Sequence, residues 1–573
     1  MARGIVPDKT RKKARPDSDE LVFLPLGGAG EIGMNLNLYG YGRPGEHRWI
    51  MIDLGVTFGD GFPPGADVIM PDPTFIAERR DRLDGLILTH AHEDHLGAVP
   101  YLWDRLQCPI YATPFTVSIL RRKLQEVGLS ERVPIHEVAL GSRFNVGAFD
   151  LELITLTHSI PEPNAIAVRT PVGTVMHTGD WKLDPDPVIG DTADEKRLAA
   201  IGDEGVLAIV CDSTNVFQPG TSGSEADLLE SLTEIIGKCR KRVLVTSFAS
   251  NVARLETIAK AARAAGRDVV LAGRSLRRIV EASRENGYLR DVPAFLDEDD
   301  AGFLPEDKSL IICTGSQGEP RAALWRIATG EHPRVRIEDG DTVIFSSKII
   351  PGNEVPIGRV HNELISRGVE VITEQDAFVH VSGHPNRDEL VRMYQHIRPK
   401  IAVPVHGEIR HLHEHAALAR TCQVAETHVA ENGTMVRLGP GKSEIVERVR
   451  AGRCVLEGNR VVPFDGNLLR SRQRSLYNGA VTVSVAVSAN GKMVSDPQVS
   501  TIGLLEENEG RIETTIKEIA AAAVKRLPLS DRRKDDTVSE AVRIAVRRAF
   551  REMLNKNPVT SVHVFRIDKA VEE

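Results

Sequence analysis

The chain has 573 residues, of which 41% are hydrophobic and 27% are charged, and its formal net charge is −8. These values are typical of a globular protein of about three domains, at roughly 100–200 residues per domain. The negative charge excludes a polycation that binds nucleic acid through its whole surface, although an acidic protein can still contain a basic channel.

Further sequence features exclude other classes of protein. The six cysteines are scattered and form no Cys-x-x-Cys pair, which indicates a reduced, cytoplasmic protein. No stretch approaches the roughly 18 uninterrupted apolar residues of a membrane span, so we predict no membrane partner. Residues 1–20 are basic but lack the apolar core of a secretory signal, so we predict a disordered basic arm there.

The next predicted region, residues 21–224, opens with two apolar strands. Leu21–Leu26 is followed by a glycine-rich turn, and Trp49–Ile52 ends at Asp53. An acid at a strand end can orient the imidazole of a metal ligand from behind, and we predict that supporting role for Asp53. A third apolar run, Leu83–Leu88, precedes a helical pattern.

Between this third strand and the helix lies the sequence His90-x-His92-x-Asp94-His95. These metal-binding side chains lie in a strand-to-helix loop, which is where α/β folds place their chemistry. Imidazoles and a carboxylate suit Zn²⁺, and ligands this close in sequence can serve two adjacent ions. The alternative is a polar loop without metal, and the density of ligands disfavours it.

Three later strands each end at one more side chain that can bind metal. A single histidine at a strand end is usually structural, but three such ends in a chain with a dense metal motif predict that they complete the metal site. The strands are predicted at 151–157, 173–179 and 401–405, and the residues at their ends are His158, Asp180 and His406.

Residues 225–375 have a different pattern, in which short apolar strands alternate with helices such as the one predicted at 252–264. This alternation is a βαβ signature and predicts a mostly parallel sheet. Because His406 lies beyond this segment yet must return to the metal site, we predict a second α/β domain inserted into the first, which resumes at 376–449. The predicted strands are Val243–Val245, Val269–Leu271, Leu310–Cys313, Val343–Phe345 and Val369–Ile372.

The remainder of the chain is predicted to form a linker at 450–478 and a small α+β domain at 479–573. Val481–Val487 alternates as a strand does, Val538–Leu554 has a helical pattern, and Val562–Ile567 is a closing strand. The arginines of this helix fit a solvated face or a dimer contact more simply than an RNA contact.

The metal motif, taken with Asp53, His158 and Asp180, resembles the metallo-β-lactamase superfamily, whose fold is an αββα sandwich. Two later motifs, His380–His384 and Pro404–Glu408, resemble those of the β-CASP nucleases. Together with three more motifs they resemble the bacterial ribonuclease J family. These three motifs are Cys211–Asn215, Phe248–Asn251 and Gly315–Pro320. The resemblance covers nearly the whole chain, without a departure at a ligand position. It implies an inserted β-CASP domain that faces the metal domain across a cleft for single-stranded RNA.

The resemblance also implies an activity. It predicts a zinc-dependent ribonuclease that degrades 5′-monophosphorylated RNA from 5′ to 3′ and cleaves internally, in RNA maturation and mRNA decay. Mg²⁺ or Mn²⁺ is a further candidate cofactor, and a homodimer or homotetramer with partners in an RNA-decay complex is expected. By carry-over, the nucleotide and phosphate pocket consists of Ala249, Ser250, Asn251, His380, Val381, Ser382, Gly383 and His384.

We predict two zinc ions per subunit. The predicted ligands are His90, His92 and His158 for one ion, Asp94, His95 and His406 for the other, and Asp180 as the bridge. Two ions about 3.5–4 Å apart can activate a water as the hydroxide that attacks the phosphodiester. The predicted catalytic residues are Asp94, His95 and His384, and His384 either protonates the leaving oxygen or only binds phosphate.

Two alternatives belong to other functional classes. A small-molecule metallo-hydrolase such as a lactonase is disfavoured, because a small substrate needs no long inserted domain. A weakly active RNA-binding scaffold of a decay complex is disfavoured by the complete ligand set. A separate cluster, His411, His413 and His415, falls in a predicted helix where alternate residues diverge. We predict that its members are mostly solvated or cap the helix.

Overall fold

The structure is a computed structural model that describes residues 18–59, 63–350 and 352–567. The arm predicted at 1–20 therefore lies mostly outside the described residues, and Glu20 already begins the first strand. None of the described helices is long and apolar enough to cross a membrane. The chain forms two compact units, Met1–Phe58 with Val68–Leu456 and Gly59–Asp67 with Glu457–Glu573.

The first unit contains most of the regular structure. Its strands are β1 (Glu20–Gly27), β2 (Ala29–Gly30), β3 (Leu36–Gly42), β4 (Arg48–Ile52), β5 (Thr57–Phe58), β6 (Val68–Pro71), β7 (Leu83–Ile87), β8 (Ile110–Ala112), β9 (Ile135–Glu137), β10 (Arg143–Val146), β11 (Phe149–Thr155), β12 (Asn164–Thr170), β13 (Gly173–His177), β14 (Ala208–Asp212), β15 (Val243–Thr246), β16 (Asp268–Ala272), β17 (Leu296–Asp297), β18 (Ser309–Cys313), β19 (Thr342–Phe345), β20 (Glu370–Ile372), β21 (Ile401–Val405), β22 (Gly407–Glu408), β23 (Glu426–Thr427), β24 (Thr434–Gly439), β25 (Glu444–Arg448) and β26 (Arg453–Glu457). Its helices are α1 (Thr74–Ala77), α2 (Glu93–Leu96), α3 (Val99–Leu106), α4 (Pro114–Glu126), α5 (Glu195–Glu204), α6 (Leu228–Lys238), α7 (Val252–Ala264), α8 (Arg274–Glu285), α9 (Ala323–Ala328), α10 (Glu354–Ser366), α11 (Arg387–Ile397) and α12 (Ile409–Thr421).

Two large sheets of this unit share one hydrophobic core. The first sheet has the strand order β25-β24-β1-β3-β4-β7-β8-β9, and the second has the order β10-β11-β12-β13-β14-β21-β23. Side chains alternate between the two faces of each strand. In β14, Ala208 and Val210 join the core between the sheets. Ile209 and Cys211 instead pack on the far side, in a cluster with residues of α5, α11 and α12. The two facing sheets agree with the predicted αββα sandwich.

The inserted domain is built on a six-stranded sheet with the order β17-β16-β18-β15-β19-β20. All neighbouring strands of this sheet run parallel, which confirms the predicted mostly parallel sheet. The predicted strands correspond to β15, β16, β18, β19 and β20. The short strand β17 (Leu296–Asp297) was not predicted, because two residues are too few to form a recognisable pattern.

The insertion begins and ends beside one pair of strands. The chain leaves the second sheet after β14 and returns at β21, and these two strands pair in parallel with Asp212 opposite Val405. The carboxyl ends of parallel neighbours lie at the same sheet edge. Asp212, at the end of β14, and His406, directly after β21, are therefore brought together across the whole insertion.

The second unit contains a three-stranded sheet, in the order β29-β28-β30, and two long helices. Its elements are β27 (Arg460–Pro463), α13 (Asn467–Asn478), β28 (Ala480–Val487), β29 (Gln498–Ile502), α14 (Gly510–Arg526), α15 (Asp535–Leu554) and β30 (Val559–Arg566). Alternate residues of β28 are buried, and they pack with apolar residues of α14 and α15. The predicted strands and helix of this region are present. The linker predicted at 450–478 contains regular structure, because β26, β27 and α13 fall within it.

Candidate active site

The loop after β7 is fixed by backbone contacts from the first sheet. The Asn35 backbone N–H donates to the Asp94 carbonyl oxygen at 2.9 Å, and the Leu54 N–H donates to the His95 carbonyl at 2.6 Å. The chain approaches so closely that a Cβ on Gly55 would lie 1.7 Å from the Asp94 carbonyl oxygen. Only glycine fits at that position. Because glycine has no side chain, the metal motif can pack against β4 and the turn that follows it.

The first ligand cluster contains His90, His92, His158 and Asp180. His92 Nδ1 lies 3.1 Å from His90 Nε2 and 3.0 Å from His158 Nε2. Burial is the main cause that lowers the pKa of His90 and of His158 well below its ordinary value. Burial likewise lowers the pKa of His92 to about 4. All three imidazoles are therefore neutral, which is the form that binds metal.

The second ligand cluster contains Asp94, His95, Asp180 and His406. His95 Nε2 lies 3.1 Å from Asp180 Oδ2, and His406 Nε2 lies 3.2 Å from Asp94 Oδ2. Burial lowers the pKa of His95, but the charges of Asp180, Asp94 and Asp53 outweigh it and raise the pKa well above its ordinary value. A metal ion would compete with protons for the ligand atoms of this cluster.

A further observation indicates that these side chains suit metal ions. Asp180 Oδ1 is buried and makes no hydrogen bond, although His406 Nδ1 lies 2.9 Å away. Within each cluster all ligand atoms lie within 4.8 Å of one another. A buried carboxylate oxygen without a hydrogen bond is costly unless a cation satisfies it. Asp180 belongs to both clusters, as a bridging ligand would.

Asp53 lies behind the second cluster. Its Oδ2 is 2.7 Å from His95 Nδ1, and the Thr89 backbone N–H and hydroxyl donate to its two carboxylate oxygens at 2.8 and 2.9 Å. The carboxylate thus fixes the imidazole so that Nε2 faces Asp94 and Asp180. Asp53, predicted to orient the imidazole of a metal ligand, thus lies next to His95.

His384 faces the metal clusters from the second connection of the inserted domain. Its Nδ1 lies 2.8 Å from Asp212 Oδ2, and Asp212 Oδ1 accepts hydrogen bonds from the Thr214 backbone N–H and hydroxyl. Burial lowers the pKa of His384, but Asp212 outweighs this effect and raises the pKa above its ordinary value. The pair can therefore hold a proton beside the metal ligands.

The segment His380–His384 contacts the first ligand cluster directly. His158 Nδ1 lies 2.5 Å from the Gly383 carbonyl oxygen. The Asn215 side-chain amide donates to Ser382 Oγ at 2.7 Å and to the His384 carbonyl at 3.2 Å. The segment is therefore held between the candidate metal ligand His158 and the loop after β14.

The other predicted pocket segment, Ala249–Asn251, follows β15 at the carboxyl edge of the inserted sheet. Ala249 and Ser250 are half-buried and Asn251 is buried. The Asn251 side-chain oxygen accepts a hydrogen bond from the Arg254 backbone N–H at 2.9 Å, so this side chain caps α7. The Asn251 side-chain oxygen therefore bonds to the helix rather than facing a ligand.

Comparison with known proteins finds matches to separate segments of the chain. Four family models match: "Beta-lactamase superfamily domain" at 48–199, "Ribonuclease J, beta-CASP domain" at 240–364, "Zn-dependent metallo-hydrolase RNA specificity domain" at 368–430 and "Ribonuclease J C-terminal domain" at 467–567. A ribonuclease J of Sinorhizobium meliloti is 46% identical over 563 residues, which cover 97% of this chain and 100% of that protein. The chain belongs to the ribonuclease J family.

Other members of the ribonuclease J family are also similar over most of their length. The Corynebacterium glutamicum protein is 38% identical over 90% of this chain and 73% of its own. The Mycolicibacterium smegmatis protein is 37% identical over 95% of this chain and 96% of its own. Membership in this family confirms the predicted enzyme class, a metal-dependent RNA hydrolase.

One expectation about this ribonuclease J family member was wrong. His411 and His415, predicted to be mostly solvated or to cap α12, are buried. His415 Nδ1 lies 2.8 Å from Ser213 Oγ, and its Nε2 lies 2.9 Å from the Tyr394 hydroxyl. His415 contacts Ser213, directly after β14, and Tyr394 of α11, and these two hydroxyls satisfy both ring nitrogens. His413 is exposed, as predicted.

The supporting roles of two residues of the site were not predicted. The Asn35 side-chain amide donates to the Asp94 carbonyl at 3.1 Å and lies 3.2 Å from His95 Nε2. The Asn215 amide holds the His380–His384 segment. Asn215 belongs to the motif Cys211–Asn215, so the sequence singled out this residue but did not predict its role. For Asn35, only its place after the glycine-rich turn was a signal.

Proposed function

We propose that this protein is a two-zinc ribonuclease that degrades 5′-monophosphorylated single-stranded RNA from 5′ to 3′ and also cleaves internally. The observation that carries the proposal is the contact between His158 Nδ1 and the Gly383 carbonyl, at 2.5 Å. It joins a metal-binding imidazole to the segment expected to hold phosphate. A terminal phosphate bound there would lie beside the hydrolytic centre.

We assign the two ions to the ligand clusters described above. His90, His92 and His158 would hold one ion, Asp94, His95 and His406 the other, and Asp180 would bridge them. When bound, such ions supply positive charge to the phosphoryl oxygens and make a water more acidic. Burial opposes ionisation of Asp180, but His406 and His95 outweigh it and hold its pKa well below the usual range. Asp180 is therefore an anion that balances part of the metal charge.

The chain's own residues provide the proton for the leaving group. Asp212 Oδ2 accepts the His384 Nδ1 proton at 2.8 Å, which leaves Nε2 of His384 as the donor toward the substrate. A positioned acid of this kind contributes roughly 10²–10⁴-fold to the rate. The same contact with Asp212 fixes the ring orientation.

The phosphate pocket is proposed to comprise Ala249–Asn251 and His380–His384. Short side chains and backbone N–H groups suit a phosphate, because it needs several donors at once. Ser382 is held by the Asn215 amide, so its hydroxyl has a fixed position. Asn251 contributes by capping α7 and shaping the loop. A hydroxyl or triphosphate end would fill such a pocket poorly.

The experiment compares three RNAs that differ only at the 5′ end: monophosphate, triphosphate and hydroxyl. Zinc-loaded wild-type protein should release labelled mononucleotide fastest from the monophosphate RNA. The variant Asp94→Ala with His95→Ala should abolish all cleavage. Equal rates on the three RNAs would refute the terminal pocket, and undiminished cleavage by the double variant would refute the metal assignment.

We also propose a cytoplasmic homodimer or homotetramer that meets partners of RNA decay. All six cysteines are free thiols, which fits a reducing compartment. Zinc is the proposed resident metal, with Mg²⁺ or Mn²⁺ as a supporting cofactor. Light scattering after size-exclusion chromatography measures the assembly, and a mass of a single chain at micromolar concentration would contradict it.

A further inference from the structure

Arg254, on the first turn of α7, is a fully buried cation beneath the proposed phosphate pocket. Its Nε and Nη2 lie 2.5 and 3.1 Å from the two carboxylate oxygens of Glu225. Its Nη1 donates to the carbonyl and hydroxyl oxygens of Ser346 at 2.7 and 2.8 Å. The same nitrogen lies 3.4 Å from the Val379 carbonyl. A planar guanidinium fork suits several acceptors of fixed geometry at once.

The residues bound by Arg254 come from three different segments. Glu225 lies on the connection that enters the inserted domain, Ser346 directly follows β19, and Val379 lies on the connection that returns. Ser346 Oγ also donates to the Val379 carbonyl at 2.7 Å. One side chain therefore joins both connections to the carboxyl edge of the inserted sheet, next to His380.

Lys348 follows Ser346 by two residues on the same loop. Its carbonyl accepts a hydrogen bond from the Gln317 side-chain amide at 2.9 Å, and the Gln317 oxygen accepts from the Ile350 backbone N–H at 2.9 Å. The backbone at Lys348 is thus held on both sides by one glutamine. Among the described residues, no ion pair or hydrogen bond involves the Lys348 ammonium, and the residue is partly exposed.

Three cations act on the His380 imidazole. Burial lowers the pKa of His380 well below its ordinary value, and the charges of Arg254, Lys348 and Lys182 lower it further. Arg254 is neutralised by Glu225, and Lys182 Nζ lies 2.8 Å from Asp184 Oδ2. Lys348 is the cation of this set that has no carboxylate partner among the described residues.

We propose that Lys348 binds the 5′-terminal phosphate of RNA together with His380, and that Arg254 is the positioning residue that holds the loops of this pocket. The proposal deepens the proposed function and rests on it for the identity of the ligand. The loop that carries Lys348 is joined through Ser346 Oγ to the Val379 carbonyl, directly before His380. An ammonium on this loop without a carboxylate partner among the described residues supplies the charge that a phosphate dianion requires. Arg254 is buried and paired, so it acts through the loops rather than by contact with RNA.

The test of Lys348 compares Lys348→Gln with Lys308→Gln. Lys308 is an exposed lysine of the same domain that precedes β18, at the opposite edge of the parallel sheet. Loss of a charged contact to phosphate should raise KM for 5′-monophosphate RNA about 10-fold or more, with KM for 5′-hydroxyl RNA within twofold of wild type. Lys308→Gln should match wild type on both. Equal KM changes on both RNAs, or none, would overturn the role of Lys348.

Direct binding separates this inference from the proposed function. Uridine 5′-monophosphate and uridine are titrated into the full-length protein, and Lys348→Gln should lose about 10-fold or more in affinity for the nucleotide alone. If wild-type protein cleaves RNA equally well whatever its 5′ end, the proposed function is refuted. The nucleotide titration would still test the role of Lys348. Unchanged nucleotide affinity in Lys348→Gln would refute the phosphate contact, even if wild type prefers the monophosphate.

The test of Arg254 uses Arg254→Lys, which keeps the charge but loses the fork. We expect a raised KM for 5′-monophosphate RNA, with kcat for internal cleavage within a few-fold of wild type. Glu225→Gln, which leaves the fork but removes its main partner, should shift KM in the same direction. If both substrates lose activity in proportion to a lowered melting temperature, Arg254 is only structural and the proposal is wrong.

Discussion

Asp212 Oδ2 lies 2.8 Å from His384 Nδ1, although 172 residues separate the two in the chain. Asp212 ends the strand from which the inserted domain departs, and His384 lies on the connection by which the chain returns. The insertion is thus closed at its base by a carboxylate–imidazole pair that faces the candidate metal ligands. Any shift of the returning connection would move His384 relative to the centre.

Asp212→Asn tests this pair. The amide keeps the shape of the side chain but removes the charge that orients His384 and retains its proton. We expect kcat on 5′-monophosphate RNA to fall about 10²-fold, the lower range for a positioned acid. Zinc content should stay at the wild-type level, measured by inductively coupled plasma mass spectrometry. A normal kcat with normal zinc would contradict the role of the pair.

Asp53→Asn tests the support behind His95. The Asp53 carboxylate lies 2.7 Å from His95 Nδ1, and loss of such a partner typically costs 10–100-fold in metal affinity. Competition with a zinc chelator should show a weakened site in the variant. Asp81→Asn is the control, because that side chain is 78% exposed in the loop before β7. Equal zinc affinity in both variants would show that Asp53 does not support the ligand.

Gly383→Ala tests the contact between the phosphate segment and the metal ligand. A Cβ at this position would lie 2.9 Å from two atoms of the His158 ring. Either the ring or the segment must move, and a misplacement of about 1 Å can cost roughly 10²-fold in rate.

The control for this variant is Gly358→Ala in α10, where an added Cβ meets nothing within 4 Å. We expect normal or slightly raised stability and unchanged cleavage from this control. Cleavage of labelled RNA measures both variants. Full activity in Gly383→Ala would mean that the segment does not lie against the hydrolytic centre.

Glu152→Gln tests a buried carboxylate of β11 that forms ion pairs with Arg197 and Arg169. Glu152 accepts hydrogen bonds from Arg197 at 2.6 and 2.9 Å and from Arg169 at 2.7 Å. The bond from Arg197 is the largest cause that lowers the pKa of Glu152. A carboxyl group with a lowered pKa stabilises the folded state above its unfolded pKa, about 4.3. That contribution is lost as the pH falls through the folded value.

The expected stability change in Glu152→Gln is therefore larger at pH 7 than at pH 4. Hydrogen bonds to charged groups contribute about 1.5–3 kcal/mol, which sets the scale of the loss at pH 7. Urea unfolding of metal-free wild type and variant at both pH values measures the difference. Exposed Glu518→Gln is the control. A difference that stays constant or grows toward pH 4 would contradict the ion pair.

The candidate metal site can be recognised from the sequence because its residues stand next to one another or follow predicted strands. His90 to His95 stand within six residues, and His158, Asp180 and His406 each follow a predicted strand, which corresponds to β11, β13 or β21. The parallel sheet of the inserted domain was predictable for a similar reason, since short apolar runs alternate with helices. These signals depend on residues that are close together in the sequence, so residue spacing alone is enough to recognise them.

The partners of the site residues were not predictable in this way. Arg254 contacts Val379, which lies 125 residues away, and Asn35 contacts His95, which lies 60 residues away. Neither contact leaves a periodic pattern, because each depends on which loops meet at one sheet edge. Burial of His415 depends similarly on hydroxyls supplied by Ser213 and Tyr394. Such pairs become visible only when the fold brings their segments together.

A crystal structure of the zinc-loaded protein with uridine 5′-monophosphate tests the central claim most directly. Anomalous scattering should locate one ion among His90, His92, His158 and Asp180 and a second among Asp94, His95, Asp180 and His406. The nucleotide phosphate should lie against Ala249–Asn251 and His380–Gly383, within reach of Lys348. A single ion, or a phosphate bound away from these segments, would contradict a two-metal ribonuclease that recognises the 5′ end of RNA.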